Sequence, residues 1–95
     1  MLQRVEMRAE NESSIDRVRR MESYFDCVRD AAEKEPFSAR WDLPVQEMLQ
    51  QLTAYFENGQ WLADYICDEQ GGFPPGLKRG VLSQDGLYDL LCGIK

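Results

Sequence analysis

Ninety-five residues, 43% of them hydrophobic and 11% aromatic, specify one small folded domain and exclude both a disordered chain and a second core. Eleven Lys and Arg against 17 Asp and Glu leave a net charge of −6, a field that repels phosphate backbones and argues against a nucleic-acid partner. The absence of histidine removes the commonest general base and zinc ligand.

At the start of the chain, Arg4 and Arg8 alternate with Glu6, Glu10 and Glu12, without the apolar stretch of a signal peptide. Leu2 and Val5 make too thin an apolar face for a packed helix. Residues 1–14 are therefore expected to be a frayed extension of a single helical domain over 15–95. Ile15, Val18, Met21, Phe25, Val28 and Ala32 then recur at steps of three and four, the period of one helix face. Ser13, with Asp16 three residues on, resembles a capping box, and Asp16–Arg20 and Asp30–Lys34 are oriented i,i+4 pairs. Pro36 ends this helix near Lys34.

Phe37 to Asp42 forms the connection, with Phe37 and Trp41 expected to fold onto the core. Asp42 is placed to cap a second helix that carries Pro44 in its first turn. Val45, Met48, Leu49, Leu52, Tyr55 and Phe56 form its apolar face, and Asn58-Gly59 stops it. Trp61, Leu62, Tyr65 and Ile66 mark a short third helix that ends before Gly71-Gly72. Phe73-Pro74-Pro75-Gly76 is a rigid turn. Leu77 to Leu82 reads as an irregular loop or single helical turn, with Gly80 free to take a positive φ. Ser83 is placed to cap a last helix bearing Asp85 in its first turn, then Leu87, Tyr88, Leu90 and Leu91. No useful stretch alternates with a period of two. The expected fold is all-α, a small bundle of three main helices and a short C-terminal helix, with a Pro/Gly-bounded loop packed on it.

Cys27, Cys67 and Cys92 form no C-x-x-C pair, so no zinc knuckle or redox dithiol is encoded. An odd count fits a reducing compartment, and all three are expected to be buried thiols acting as small hydrophobes. No stretch approaches the length of a membrane span. A cytoplasmic protein with no membrane association and no cofactor is expected.

Charge is unevenly divided. Residues 1–40 carry 8 basic and 9 acidic groups, whereas residues 41–95 carry 3 basic (Lys78, Arg79 and Lys95) and 8 acidic.

From Trp61 the chain reads W-L-A-D-Y-I-C-D-E-Q-G-G-F-P-P-G-L-K-R-G-V-L-S-Q-D-G-L-Y-D-L-L. This resembles a family of small bacterial proteins known as a domain of unknown function. Its members read W-x-x-D-x-x-x-D-E-x-G and then P-x-x-L-K-R-G-V-L-S-E-D-G-x-Y-x-L-L. Leu52 to Phe56 is similar to the family's L-x-x-Y-Y, and Met21-Glu22 to its early M-E. Gln84 departs from an acidic position and Gly76 from one that is commonly charged. The resemblance implies a helical, bacterial, cytoplasmic protein and brings no activity with it.

Asp64, Asp68 and Glu69 lie on the third helix, and the adjacent pair Lys78 and Arg79 follows ten residues past Asp68. The favoured reading is architectural: the loop folds back over this helix, Arg79 or Lys78 pairs with the acidic cluster, and Leu77 and Val81 enter the core. A sharper alternative makes Lys78, Arg79, Gly80 and the helix start at Ser83 an anion site for a phosphate or carboxylate. It lacks P-loop spacing. Asp64, Asp68, Glu69 and Asp85 lack the order of a calcium loop, so no metal site is assigned. The serines have no histidine to activate them, so no catalytic residue is assigned. So small a bundle cannot enclose every ring, and an exposed apolar patch including Trp61 or Phe73 is expected to bind a protein partner or a second copy. The leading expectation is a non-enzymatic interaction or regulatory module. The alternative is a binder of a small anion at Lys78, Arg79 and Ser83.

Overall fold

The Ser13 hydroxyl accepts a hydrogen bond from the Asp16 N–H at 3.1 Å and so fixes the start of the first helix. The computed structural model describes residues 13–83 and 85–95. Of the frayed extension expected over 1–14, residues 1–12 lie outside the described residues, as does the departure at Gln84, while Ser13 caps the first helix and Ser14 begins it. Four α-helices follow in order, α1 (Ser14–Lys34), α2 (Leu43–Glu57), α3 (Gln60–Glu69) and α4 (Gly86–Gly93), with 3-10 turns at Ser38–Arg40 and Gly80–Leu82. No strand occurs among the described residues, and the protein is an all-helical bundle.

The periodic face of α1 becomes the core. Val18, Met21, Phe25 and Val28 are buried, and each contributes about 1.5–3 kcal/mol relative to exposure. They pack chiefly on α2, from which Leu52 and Tyr55 are fully enclosed. Asp30 and Lys34 pair at 3.1 Å, whereas Asp16 approaches Arg19 at 4.0 Å instead of Arg20, whose guanidinium lies over the Tyr24 ring. The C-terminus of α1 is closed by the Trp41 indole, whose Nε1 donates to the Glu35 carbonyl at 2.8 Å. That hydrogen bond buries Trp41 but not Phe37, which stays 47% exposed beneath the Arg40 guanidinium. Asp42 starts α2 through its backbone carbonyl, which accepts from Val45 and Gln46, and its side chain makes no capping bond. Gly59, at φ +93°, turns the chain from α2 directly into α3, a left-handed conformation that glycine adopts without steric cost.

The segment after α3 lies over the other end of this core. Phe73, Leu77, Val81, Leu82 and, on α4, Leu87 are all buried. The chain end returns to the α1–α2 connection, where Lys95 N–H donates to Pro36 and the Lys95 carbonyl accepts from Ser38. Two expectations change here. Gly80 does not adopt a positive φ; the left-handed glycines are Gly59 and Gly71. Cys27 and Cys92 are exposed and Cys67 half-buried, because Cys27 falls between Phe25 and Val28, off the inward stripe of α1. No helix among the described residues is long and apolar enough to cross a membrane.

Candidate functional site

Seven polar side chains tie the helices to one another and to the loop. Asp64, on α3, is almost completely buried. Arg17, on α1, grips its carboxylate with two donors, Nε at 2.9 Å and Nη2 at 2.5 Å, and the Tyr55 hydroxyl from α2 donates to Oδ2 at 2.7 Å. One carboxylate thereby joins three helices, with two charge-assisted bonds and a neutral donor offsetting the cost of its burial. Burial, reinforced by the hydrogen bond to Asp64, pushes the Tyr55 phenol far above its ordinary range, so it remains a donor at every physiological pH.

The loop is clamped from both sides. Glu22, buried on α1, accepts the Val81 N–H at 2.8 Å. Trp61, at the start of α3, donates its indole N–H to the Val81 carbonyl, also at 2.8 Å. Arg79 folds back on its own loop and on α3: Nε donates to Leu77 O at 3.1 Å, Nη1 to Asp68 at 2.6 Å, and Nη2 to Pro74 O.

These contacts divide the residues grouped by the sequence. Asp68 and Arg79 come together, whereas Asp64 turns inward to Arg17 and exposed Glu69 makes no ion pair among the described residues. The division follows helical phase. Asp64 and Asp68 lie one turn apart along α3, one toward α1 and the other toward the loop, and Glu69 is rotated off that row. The anion site does not assemble either. The Arg79 donors are committed to the loop and Asp68, leaving Lys78 exposed on its own. Regular helix begins at Gly86 with Asp85 at its cap, and the Ser83 hydroxyl is already occupied in accepting the Gly86 N–H at 3.1 Å. Gly80 serves a close approach, since a Cβ there would sit 3.2 Å from Glu22 Oε2. No group of three or more potential metal ligands occurs among the described residues.

The family model described as a domain of unknown function (DUF4298) matches residues 18–94. The chain belongs to DUF4298. No curated protein and no solved structure matches it. In this DUF4298 member the motif-bearing residues Glu22, Tyr55, Trp61, Asp64, Asp68 and Arg79 are those whose polar atoms are satisfied inside the fold. Arg17, Tyr55 and Glu22 were not legible as site residues. For Glu22 the only sequence signal is its place in the M-E dipeptide.

With that chemistry turned inward, a cluster of aromatic and aliphatic side chains remains at the surface. Tyr65 stacks on Trp61 at 5.2 Å between centroids, Trp61 meets Phe56 at 5.3 Å, and Phe56 meets Tyr88 at 6.2 Å. None of these four rings is buried, and Tyr88 is 55% exposed. Leu62 and Ile66, one turn apart on α3, are also about half exposed. Phe73, expected on such a patch, is instead buried, because the Pro74-Pro75 turn directs it against the core. Beside the ring row, Leu49, Phe56, Tyr88, Leu91 and Ile94 line a groove of about 320 Å³ between α2 and α4.

Proposed function

We infer that this DUF4298 protein is a non-enzymatic interaction module of the bacterial cytoplasm, working through the aromatic face of α2, α3 and α4. One observation carries the reading. Four rings form a continuous row at the surface, Tyr88 exposed and Phe56, Trp61 and Tyr65 half-buried, while among the described residues the buried polar side chains are all satisfied internally. Exposed aromatic rows are costly to keep in water unless a partner covers them, and aromatic residues concentrate at the centres of protein interfaces. A module of this kind needs a rigid face, and the Arg17–Asp64–Tyr55 and Glu22–Val81 contacts hold that face in place.

The test is co-purification from the native host with wild type, Tyr88→Ala and Lys78→Ala, all with matched Tm. The partner is expected to be retained by wild type and Lys78→Ala and lost with Tyr88→Ala. Loss with Lys78→Ala and retention with Tyr88→Ala would move the function to the loop and overturn the reading. The anionic-ligand alternative rests on Lys78, which lines a cleft of about 300 Å³ opposite Arg19, Glu22 and Asp26. The two carboxylates offset both Lys78 and Arg19, so the cleft carries no net positive charge to draw an anion.

A further inference from the structure

We propose that the groove between α2 and α4 receives a basic, amphipathic helical segment of a partner protein; the proposal rests on the docking reading above and names the chemistry of the occupant. The first support is shape. On the α2 side the groove is lined by Leu49, Thr53 and Phe56, a row stepping by four and three residues that extends about 10 Å along the helix. On the α4 side it is lined by Tyr88, Leu91 and Cys92, stepping by three and one. Two helical rows enclosing an apolar trough match a third helix that presents anchors at i, i+3 or i+4, and i+7.

The second support is charge. Helices α2, α3 and α4 carry six acidic side chains and not a single Lys or Arg. Two of the six, Asp64 and Asp68, are neutralised by Arg17 and Arg79. Glu57, Glu69 and Asp89 remain exposed, and Glu57 lines the groove itself, whereas Glu47 lines a separate cleft beside Arg20. The nearest cation in sequence is Lys95, one residue past Ile94. An occupant with apolar anchors and Lys or Arg on its flanks meets complementary potential along this face. A second copy of the chain, itself at −6, meets like charge, as does an anionic lipid surface.

The experiment titrates the ¹⁵N-labelled full chain at 150 mM salt with an 18-residue amphipathic Leu/Lys helix, and in parallel with the same apolar face carrying Glu for every Lys. Amide shifts are expected at Leu49, Phe56, Tyr88 and Leu91 with the Lys peptide, and binding at least tenfold weaker with the Glu peptide. The exposed double variant Glu57→Lys with Asp89→Lys, at unchanged Tm, is expected to weaken the Lys peptide at least fivefold. Equal binding of the two peptides would overturn the charge assignment while leaving a docking face. Lys-peptide shifts scattered over acidic surface outside the groove, or unchanged in the double variant, would overturn the proposed occupant. If neither peptide binds, the helical occupant is overturned, and the Tyr88→Ala co-purification decides separately whether the docking face survives.

Discussion

Glu22 accepts the backbone N–H of Val81 at 2.8 Å across 59 positions of chain, so a side chain on the first helix holds the loop that precedes the last one. With the Trp61 indole on the Val81 carbonyl, one peptide position of that loop is fixed from two helices at once. The loop thereby becomes part of the rigid scaffold beneath the aromatic face.

Glu22→Ala leaves the buried Val81 N–H without an acceptor and is expected to cost about 1–3 kcal/mol in urea unfolding. Glu22→Gln keeps an acceptor oxygen and is expected to lose less than half as much. Hydrogen exchange at the Val81 amide reports the effect locally, with protection in wild type and in the glutamine variant and rapid exchange in the alanine variant. Equal protection in all three would show that the carboxylate does not hold the loop.

Arg17→Ala strands the Asp64 carboxylate in the core with only Tyr55 as donor, and a loss of about 3–5 kcal/mol is expected. The triple variant Arg17→Met, Asp64→Leu and Tyr55→Phe removes both charges and the hydroxyl that they would leave unpaired, and is expected to recover most of that stability. Tyr55→Phe, which deletes the neutral donor alone, is expected to cost about 1–2 kcal/mol. Denaturant midpoints with unchanged slopes provide the comparison.

Tyr55 also sets an alkaline limit. Its folded-state pKa is raised by burial and by Asp64, so the neutral phenol is favoured in the folded protein. That stabilisation is complete below the unfolded value near 10. Above it, only the unfolded chain ionises Tyr55, and stability falls by about 1.4 kcal/mol per pH unit. Ultraviolet titration is expected to show Tyr55 ionising only together with unfolding, and Tyr55→Phe is expected to flatten the alkaline loss. Reversible ionisation of all four tyrosines in the folded protein would contradict this placement of Tyr55.

The sequence made local features readable and left the long-range ones hidden. The Ser13 cap, the inward stripe of α1 and the Gly59 reversal depend on neighbours within a turn, and spacing alone discloses them. Arg17–Asp64 and Glu22–Val81 span 47 and 59 positions, and on an otherwise charged helix Arg17 and Glu22 look like ordinary solvated residues. Arg79–Asp68 was within reach because the loop reverses over the helix that precedes it. Phe73, expected on the exposed patch, is buried for a topological reason. The double-proline turn folds Phe73 inward, and burying Leu87 turns its neighbour Tyr88 outward on α4.

Because the Arg79 donors are used within the fold, a thermal-shift screen against nucleotides, phosphate and sugar phosphates is expected to be flat. Any ligand of the folded state must raise Tm. A concentration-dependent rise that disappears in Lys78→Ala would instead establish an anion site at the loop.

Photo-cross-linking in the native host tests the central claim most directly, with p-benzoylphenylalanine placed at position 88 in one strain and at position 78 in another. The aromatic face, if it is the working surface, yields a discrete protein adduct from position 88 and none from position 78. A discrete adduct from position 78 with none from position 88 would contradict it.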